Sequence, residues 1–357
     1  MHIEQIKIEN LRNIEHAEIS PNKKLNIITG NNGAGKTTLL ESIYLLARAR
    51  SFRQQKRGQL LKEGKDHLNL FTTLKSMDRS RHQIGLQKTV KETVIRKDGE
   101  QLKKLSDLAK TIPLTIITPN IQRIIEEDPK HRRRLINWGM FHVEHEYGDL
   151  ANRYKKVLVQ RNKALRGSIE QIKVWDRQLI DLGEEIDRRM RAYTDVWNQN
   201  LQEIVDSTDL IPPISIELKQ GWKEQSSLAE ALDRSSRMDR ERGFTSCGPQ
   251  RSDLRVLQEG RNIRNIFSRG ETKITAIILL LAQTKIIGQR RGENPVLLVD
   301  DLHSELDSDH YNRLLSLIIN QNLQSFITSL NFQPSKDFKK PGVCGMFHVE
   351  HGEVSAQ

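Results

Sequence analysis

Apolar and polar positions along the first third of the chain alternate in a way that predicts a strand-rich region. Apolar residues alternate with polar ones over residues 3–11, and an uninterrupted apolar run covers residues 25–29. Apolar side chains then recur at helical spacing over residues 38–50. Short alternating segments return over residues 67–118, with Asp98-Gly99 as a hairpin signal. This region is therefore expected to combine β-strands with one amphipathic helix.

The middle of the chain has a different, helical pattern. Beyond Pro119, apolar residues follow a three-four spacing from Ile172 to Trp197, which predicts helices packed against each other. Gly167 and Gly183 interrupt this stretch. We therefore expect a short helical arm rather than a long coiled coil.

The last third returns to mixed strand and helix patterns. Strands are predicted at residues 214–218, 254–257 and 296–299, a helix at about 268–287, and a strand and turn at the end of the chain. A chain of 357 residues exceeds the size at which one hydrophobic core stops growing. We predict a mixed β-sheet lobe formed by residues 1–120 together with 296–357, and a mainly helical second lobe formed by residues 121–295.

The heptapeptide GMFHVEH occurs twice, at residues 139–145 and 345–351. The first copy follows a helical pattern and the second precedes a turn, so we interpret them as unrelated uses of one segment. The four histidines have no carboxylate-cysteine framework around them, and no metal site is predicted there.

Charge and cysteine content restrict the class of protein. Lys and Arg outnumber Asp and Glu by 57 to 46, which favours polyanionic partners, although a basic solvated surface would give the same balance. Cys247 and Cys344 fit a reduced chain without disulfides. The apolar run at 274–282 is much shorter than the ~20 residues of a membrane helix, and no signal peptide is seen. A cytoplasmic protein without a membrane partner is expected.

A phosphate-binding loop follows the apolar run at residues 25–29. The sequence GNNGAGKT matches G-x-x-x-x-G-K-[ST] and precedes the predicted helix. Its backbone amides would surround the phosphates of ATP, Lys36 would reach the β- and γ-phosphates, and the Thr37 hydroxyl would bind Mg²⁺. The predicted nucleotide contacts from this segment are Gly30, Asn31, Asn32, Gly33, Ala34, Gly35, Lys36, Thr37 and Thr38.

Two acids end the apolar run at residues 296–299. A buried parallel strand delivers side chains at its carboxyl end, where a phosphate loop also lies. Asp300 is therefore predicted to hold Mg²⁺, and Asp301 to polarise the attacking water. Many ATPases of this type have Glu at the second position; since Asp is one methylene shorter, slow hydrolysis is expected.

Three further segments occur in the order typical of ABC-type ATPases. FSRGETK at 267–273 resembles their signature, with Ser268 at a helix start and Gly270 allowing close approach to a nucleotide on the opposite protomer. SELD at 304–307 matches the D-loop, and Thr328 falls at the switch position. The predicted fold class is α/β, an ABC-type P-loop ATPase head that forms an ATP-dependent homodimer.

Several segments resemble the RecF family of bacterial recombination mediators. The first is NLRN at the start of the chain, where Arg12 is a candidate nucleotide contact. The other segments that carry the resemblance lie at 128–134, 138–142, 157–162, 174–176, 248–254 and 347–354. Two positions depart from the family pattern: Gln250 stands where His is usual, and Glu271 where Gln is usual. Because Ser268 and Gly270 keep the family pattern, contact with the partner's ATP is still expected. Glu271 is expected to affect the rate of hydrolysis more than the dimerisation.

The resemblance implies an SMC-like ATPase head with ATP and Mg²⁺ as cofactors and DNA as a partner. It implies binding at single-strand gaps and junctions, cooperation with RecO and RecR in loading recombinase, support of DNA replication and SOS induction, and weak DNA-stimulated hydrolysis of ATP. KHRRR at 130–134 and DRRMR at 187–191 are candidate DNA-facing patches, and the alternative for each is a solvated helix face.

Two other functions stay open at this point. A transporter nucleotide subunit would need a coupling surface for membrane helices and usually a switch histidine, and the arm and Thr328 argue against it. A structural clamp that binds ATP without turnover is compatible with an aspartate at position 301.

Overall fold

The structure of the chain is a computed structural model, which describes residues 1–53, 59–167, 169–302, 306–330 and 344–357. The chain divides into two compact units. Unit 1 comprises Met1–Ile121 and Ile287–Gln357, and unit 2 comprises Gln122–Ile286. Each unit has its own buried interior and is described by itself.

Most of the strands belong to unit 1. In chain order they are β1 (His2–Leu11), β2 (Ile14–Ile19), β3 (Leu25–Thr29), β4 (His67–Lys75), β5 (Arg81–Thr89), β6 (Thr93–Lys97), β7 (Glu100–Gln101), β8 (Leu114–Ile117), β9 (Ser215–Lys219), β10 (Asp253–Gln258), β11 (Arg261–Asn262), β12 (Val296–Val299), β13 (Ser325–Thr328), β14 (Cys344–Glu350) and β15 (Glu353–Ala356).

The helices are concentrated in unit 2. They are α1 (Lys36–Arg48), α2 (Leu105–Thr111), α3 (Arg123–Glu126), α4 (Pro129–Val143), α5 (Tyr147–Ala164), α6 (Ile169–Asp206), α7 (Leu228–Arg242), α8 (Arg269–Arg291) and α9 (Ser308–Asn320). Over the described ranges, none of these helices has the length and apolar character needed to cross a bilayer.

Unit 1 contains an antiparallel sheet with the strand order β2-β1-β4-β5-β6-β7. Its inward face carries the regularly spaced Ile and Leu side chains of β1 and β4, and its outward face is polar. The turn between β6 and β7 is Asp98-Gly99, and both residues have positive φ, at 51° and 88°. Since a type I′ turn needs this conformation at both central positions, the predicted hairpin is confirmed.

A second sheet in unit 1 has the order β15-β14-β3-β13-β12-β8 and is parallel from β14 to β8. All four residues of β12 and of β13 are buried, as expected for parallel strands covered on both faces. Apolar residues of both sheets join those of α1 in one core. The parallel arrangement brings the carboxyl ends of β3, β13 and β12 to one edge.

Unit 2 is built around the paired helices α5 and α6. Arg161 contacts Asp176, and Tyr154 lies beside Gly183, so the two helices run antiparallel. Gly167 falls between the helices as predicted, whereas α6 continues through Gly183. A Cβ on Gly183 would lie 2.5 Å from Leu228, so this glycine allows α7 to approach rather than ending the helix.

A three-stranded antiparallel sheet, β11-β10-β9, completes unit 2. The fully buried Trp197 of α6 donates from its indole nitrogen to the Leu279 carbonyl of α8 at 3.1 Å. This hydrogen bond satisfies the one polar group of a large apolar side chain, and it connects the two helices.

The repeated heptapeptide takes two conformations. The first copy lies mostly in α4 and the second mostly in β14. Identical residues therefore fold according to their neighbours, and the interpretation of the copies as unrelated segments is confirmed.

Candidate nucleotide site

The phosphate loop connects the buried strand β3 to α1, which begins at Lys36. The Lys36 ammonium donates to the carbonyls of Gly30 at 2.7 Å and Asn31 at 3.0 Å. Burial lowers the pKa of Lys36, and the carboxylates of Asp301 and Asp300 partly offset this effect. The amine therefore lies at the mouth of the loop with both acids close enough to influence it.

Two glycines of the loop lie against the backbone and side chains of neighbouring strands. A Cβ on Gly30 would lie 2.2 Å from the Val349 carbonyl oxygen, and one on Gly35 would lie 2.8 Å from the Asn13 amide nitrogen. Since real Cβ atoms do not approach backbone this closely, Gly30 requires glycine for space, while at Gly35 the φ of +125° and the Asn13 side chain both disfavour a Cβ. The strand β14 and the turn between β1 and β2 therefore pack directly against the phosphate loop.

Asp300 follows β12 and meets residues from two other elements. Its Oδ1 accepts a hydrogen bond from the Thr37 hydroxyl at 2.9 Å and another from the Thr328 hydroxyl at 3.1 Å. Its side chain is only 7% exposed. Burial raises the pKa of Asp300, while the two hydroxyls and Arg53 act in the opposite direction. The strands β3, β13 and β12 thus bring the phosphate loop and the first acid into contact.

Thr328 lies between the two acids. Besides donating to Asp300, its hydroxyl accepts the Asp301 backbone N–H at 2.9 Å. Asp301 has φ 46° and an exposed side chain. Thr328, at the end of β13, therefore fixes the backbone that carries the Asp301 side chain.

A cavity of about 300 Å³ opens at this edge of the second sheet. The residues that line it all belong to unit 1: Arg12, Asn13, Asn31, Asn32, Gly33, Gly35, Lys36, Thr37, Thr38, Arg53, Asp300, Asp301, Thr328, Ser329 and Leu330. Of these, Arg53, Ser329 and Leu330 were not predicted. Arg53 follows α1 and the other two follow β13, and none of the three belongs to a recognised motif. Asn13 appeared only within a family motif.

Arg12 lines the cavity and is held by a carboxylate from α1. Its guanidinium donates through two nitrogens to the fully buried Glu41, with Nη2–Oε1 at 2.9 Å. A third nitrogen donates to the Gln59 carbonyl at 3.3 Å. The predicted contact of Arg12 with nucleotide would therefore be made by a preorganised guanidinium.

Ser268 and Gly270 lie in unit 2, at the start of α8. The Ser268 hydroxyl accepts the Glu271 N–H at 3.3 Å, while Glu271 Oε2 accepts from the Ser268 N–H at 2.8 Å and from its hydroxyl at 2.7 Å. This is a capping box, which confirms Ser268 as the helix cap and gives Glu271 a local role.

Only part of the predicted D-loop lies within the described residues. Ser304 and Glu305 fall outside them. Asp307 is the N-cap of α9 and accepts the His310 N–H at 2.9 Å.

The oxygen atoms at this edge suit a hard divalent cation. The Thr37 hydroxyl and the Asp300 carboxylate, 2.9 Å apart, are the ligand types that Mg²⁺ takes from proteins together with phosphate oxygens and water. The lysine and the amides at the start of α1 suit an anion. The site therefore fits the magnesium complex of a polyphosphate.

Comparison with known proteins agrees with this arrangement. The family model for the RecF/RecN/SMC N-terminal domain matches residues 2–355. The DNA replication and repair protein RecF of Shewanella oneidensis is 35% identical over 360 residues, covering 99% of each chain. A solved structure of the recombination mediator protein RecF with ATP in the RecFOR pathway has a TM-score of 0.85 at 25% identity, covering 100% of this chain and 97% of that one.

A more distant solved structure shares the fold alone. The SMC head bound to the C-terminal winged-helix domain of ScpA has a TM-score of 0.58 at 16% identity, covering 100% of this chain and 98% of that one. These likenesses confirm the predicted α/β fold of an ABC-type ATPase head. With the full-length family match and the relative at 35% identity, they show that the chain belongs to the RecF family.

Proposed function

We propose that this chain binds ATP with Mg²⁺ and dimerises around it, and that it acts on DNA in replication and repair. The observation that carries the proposal is the Asp300 carboxylate, which accepts hydrogen bonds from Thr37 of the phosphate loop and from Thr328. Such a cluster brings a lysine, a hydroxyl and a buried acid to one cavity. The solved structure of a RecF protein with ATP supports ATP as the nucleotide.

The roles proposed for the residues follow from their positions. Lys36 would bind the phosphates, and Thr37 with Asp300 would hold Mg²⁺, which supplies charge neutralisation for the transferring phosphoryl group. Asp301 would orient and polarise the attacking water. Thr328 would hold the backbone of Asp301 and the Asp300 carboxylate through its hydroxyl. The reaction would be slow, because the shorter side chain of Asp reaches less far than that of Glu.

The signature helix is proposed to complete the site in a second copy of the chain. The lobe formed by 1–120 and 296–357 would supply the phosphate loop, and the lobe formed by 121–295 would supply Ser268 and Gly270 to the opposite protomer. The N-terminus of α8, capped by Ser268, has the dipole and the amides that favour the γ-phosphate.

DNA is proposed as the macromolecular partner. The relatives are named DNA replication and repair proteins, and the chain carries a formal charge of +11. Binding to duplex DNA and to gaps and junctions, cooperation with RecO and RecR, a part in SOS induction and DNA-stimulated hydrolysis are proposed with it, as is a cytoplasmic location.

Sedimentation with and without ATP tests the dimer. The wild-type chain is expected to shift from monomer to dimer with ATP and Mg²⁺. Lys36→Ala should abolish both nucleotide binding and the shift, because it removes the cation at the phosphates. Ser268→Arg should retain nucleotide binding by the monomer and lose the shift, because a bulky cation obstructs the partner's nucleotide. A dimer that forms normally in Ser268→Arg contradicts the shared site.

Asp301→Asn separates an ATPase from a clamp without turnover. The asparagine keeps the size of the side chain but removes the charge that polarises water, so hydrolysis should fall by at least about 100-fold. The ATP-dependent dimer should persist. Unchanged phosphate release in this variant would remove Asp301 from the reaction, and no release in the wild-type chain, with or without DNA, would favour the clamp.

A further inference from the structure

Two hydrogen-bond donors converge on one carbonyl of the phosphate loop. The Asn13 amide, in the turn between β1 and β2, donates to the Ala34 carbonyl at 2.8 Å. The backbone N–H of Gly352, in the turn between β14 and β15, donates to the same oxygen at 3.0 Å. These two turns are distant in sequence, and neither is part of the G-x-x-x-x-G-K-[ST] motif. Both approach the loop from outside.

The direction of this carbonyl determines where the next amide points. In a trans peptide the C=O and the following N–H point to opposite sides. With the Ala34 oxygen held by Asn13 and Gly352, the Gly35 N–H is turned the other way. Gly35 lines the cavity, so the anchored peptide presents its amide on the side where phosphate would bind. Two donors on the carbonyl also polarise the peptide, which makes that N–H a stronger donor.

The orientation of the Asn13 side chain is fixed by a third group. The Thr38 hydroxyl donates to Asn13 Oδ1 at 3.1 Å, so the oxygen of the amide faces α1 and its nitrogen faces Ala34. Thr38 is buried and lies two positions after Lys36. The hydroxyl predicted to contact nucleotide is thus used to hold the residue that anchors the loop.

Gly352 can reach the loop only as glycine. Its φ is +87°, and a Cβ at this position would lie 2.1 Å from the Asn13 carbonyl oxygen. Any larger residue would separate the β14–β15 turn from the β1–β2 turn. The close approach therefore keeps both donors on Ala34 at the same time.

We infer that Asn13 and Gly352 are positioning residues that aim the Gly35 amide at a phosphate of the bound nucleotide. The inference rests on the proposed function, since it concerns the same cavity. It assigns a function to the C-terminal hairpin, which lies outside the phosphate-loop motif in the sequence and reaches the nucleotide only through the peptide it holds.

Nucleotide affinity of Asn13→Ala and Gly352→Ala tests this assignment. ATP affinity of the purified full-length chain would be measured by titration with a fluorescent ATP analogue below the unfolding temperature of each variant. Asn13→Ala is expected to bind about fivefold to tenfold more weakly, the value of one lost hydrogen bond. Gly352→Ala should lose a similar factor, and the double variant should lose clearly less than the product, because both changes release the same carbonyl.

Asn26→Ala is the matched control for a purely structural effect. Asn26 is fully buried in β3, and its amide donates to the carbonyls of Asn22 at 2.9 Å and Ser325 at 3.3 Å, away from the loop. This variant should lower Tm yet keep the wild-type affinity for ATP. If Asn13→Ala does not fold, Asn13→Ser, which is too short to reach Ala34, takes its place.

Three results would overturn the assignment: wild-type affinity in Asn13→Ala, independent effects in the double variant, or an equal loss of affinity in Asn26→Ala. Lys36→Ala distinguishes this failure from that of the proposed function. If Lys36→Ala loses nucleotide binding while the Asn13 variants keep it, the nucleotide site stands and the anchor does not. If Lys36→Ala binds as well as wild type, the nucleotide site itself is wrong.

Discussion

At the scale of single residues, the site places an acid where burial opposes its charge. Asp300 is 7% exposed, and burial raises the pKa of its carboxyl above the ordinary value of 3.8. The folded chain therefore holds this proton more tightly than the unfolded chain does. Stability contributed by the protonated form is lost as pH rises from 3.8 through the raised pKa, so at neutral pH the carboxylate is a net cost to the folded state.

Asp300→Asn should therefore stabilise the nucleotide-free protein. The asparagine oxygen can still accept from Thr37 and Thr328, and the buried charge is gone, so Tm at pH 7.5 should rise by ~1–2 °C, the effect of about 1 kcal/mol on a chain of this length. The gain should shrink as pH is lowered toward 4. Stabilisation by ATP with Mg²⁺ should be lost in the same variant, because a neutral amide replaces the carboxylate proposed to hold Mg²⁺. Differential scanning fluorimetry at several pH values measures each of these effects.

Asp78→Asn provides a control of the opposite sign. Hydrogen bonds from Ser80 lower the pKa of the exposed Asp78 carboxyl, so its contribution to stability is present at neutral pH and lost as pH falls through the lowered pKa. This variant should lower Tm slightly at pH 7.5 and keep its response to nucleotide. A fall in Tm for Asp300→Asn equal to that of Asp78→Asn would contradict the cost assigned to the buried charge.

At the scale of elements, the sequence predicted strands and helices where the local pattern was sufficient. β12 lies at the predicted residues, and the Asp98-Gly99 hairpin formed because both residues tolerate positive φ. Gly183 was interpreted as a weak point of the arm, and α6 runs through it. The interpretation was wrong because Gly183 makes room for Leu228 of α7 and does not end the helix. The local sequence does not reveal that Leu228 packs at this position.

The start of α8 shows a conflict between helix stability and the proposed dimer. The Glu271 carboxylate accepts hydrogen bonds from the Ser268 hydroxyl at 2.7 Å and from the Ser268 N–H, so an anion is already bound at the start of the helix. In the proposed dimer that hydroxyl and the amides beside it would face the γ-phosphate of the partner's nucleotide. Two anions a few ångströms apart repel each other by roughly 3 kcal/mol at an effective dielectric constant of ~20. The capping acid would therefore oppose the proposed dimerisation.

Glu271→Gln is expected to separate these two effects. Replacing the anion by an amide should weaken the cap by about 0.5 kcal/mol and lower Tm slightly. The ATP-dependent dimer should become tighter, on the order of 100-fold in Kd, because the like-charge repulsion of roughly 3 kcal/mol is removed. Analytical ultracentrifugation across a range of protein concentrations measures the dimer, and thermal unfolding without nucleotide measures the cap.

The start of α7 offers a matched control. Ser227 caps α7 by accepting the Glu230 N–H at 3.2 Å, so the same S-x-x-E pattern occurs outside the signature. Glu230 is an acid in the first turn of α7 and its carboxylate pairs with Arg234, so Glu230→Gln should lower stability slightly and leave the dimer unchanged. If Glu230→Gln tightens the dimer as much as Glu271→Gln, general charge rather than the position of Glu271 is responsible.

At the scale of the whole molecule, family segments that are far apart in sequence meet in space. Arg132, which is 4% exposed, forms a bidentate ion pair with Asp253. The fully buried Arg161 contacts Asp176 and Asp239. These segments could be recognised in the sequence, but their pairing could not be predicted, because contact between separate segments depends on the folded topology. Arg132 is therefore excluded from the predicted DNA-facing patch at 130–134, since a buried guanidinium that is paired with Asp253 does not face a ligand.

The second predicted patch is neutralised by carboxylates of its own helix and of the segment between α4 and α5. Arg188 contacts Glu185, Arg191 contacts Asp187, and Arg189 contacts Glu185 together with Glu144 and Glu146. This arrangement matches the solvated helix face that was the alternative interpretation. Lys130 and Arg134 of α4 are exposed and four positions apart, which places them on one face of the helix. They are the stronger candidates for contact with DNA phosphates.

The salt dependence of DNA binding distinguishes these two patches. Each phosphate contact steepens the slope of log K against log salt by about 0.9 for duplex DNA, so Lys130→Ala with Arg134→Ala should reduce the slope by about 2. Arg188→Ala with Arg191→Ala removes the same formal charge. Because those two side chains are already paired with carboxylates, this variant should leave the slope within about 0.5 of wild type.

Binding of gapped duplex DNA, measured by fluorescence anisotropy between 50 and 200 mM salt, gives both slopes with ATP present. Two equal decreases would mean that the chain responds only to net charge, and the contact proposed for α4 would fail. No decrease in either variant would place the DNA on another surface. A decrease confined to Lys130 and Arg134 would show that the basic excess of +11 acts through particular exposed cations rather than through the total charge. Net charge would then be a poor guide to the interface, and the pairing of each cation a better one.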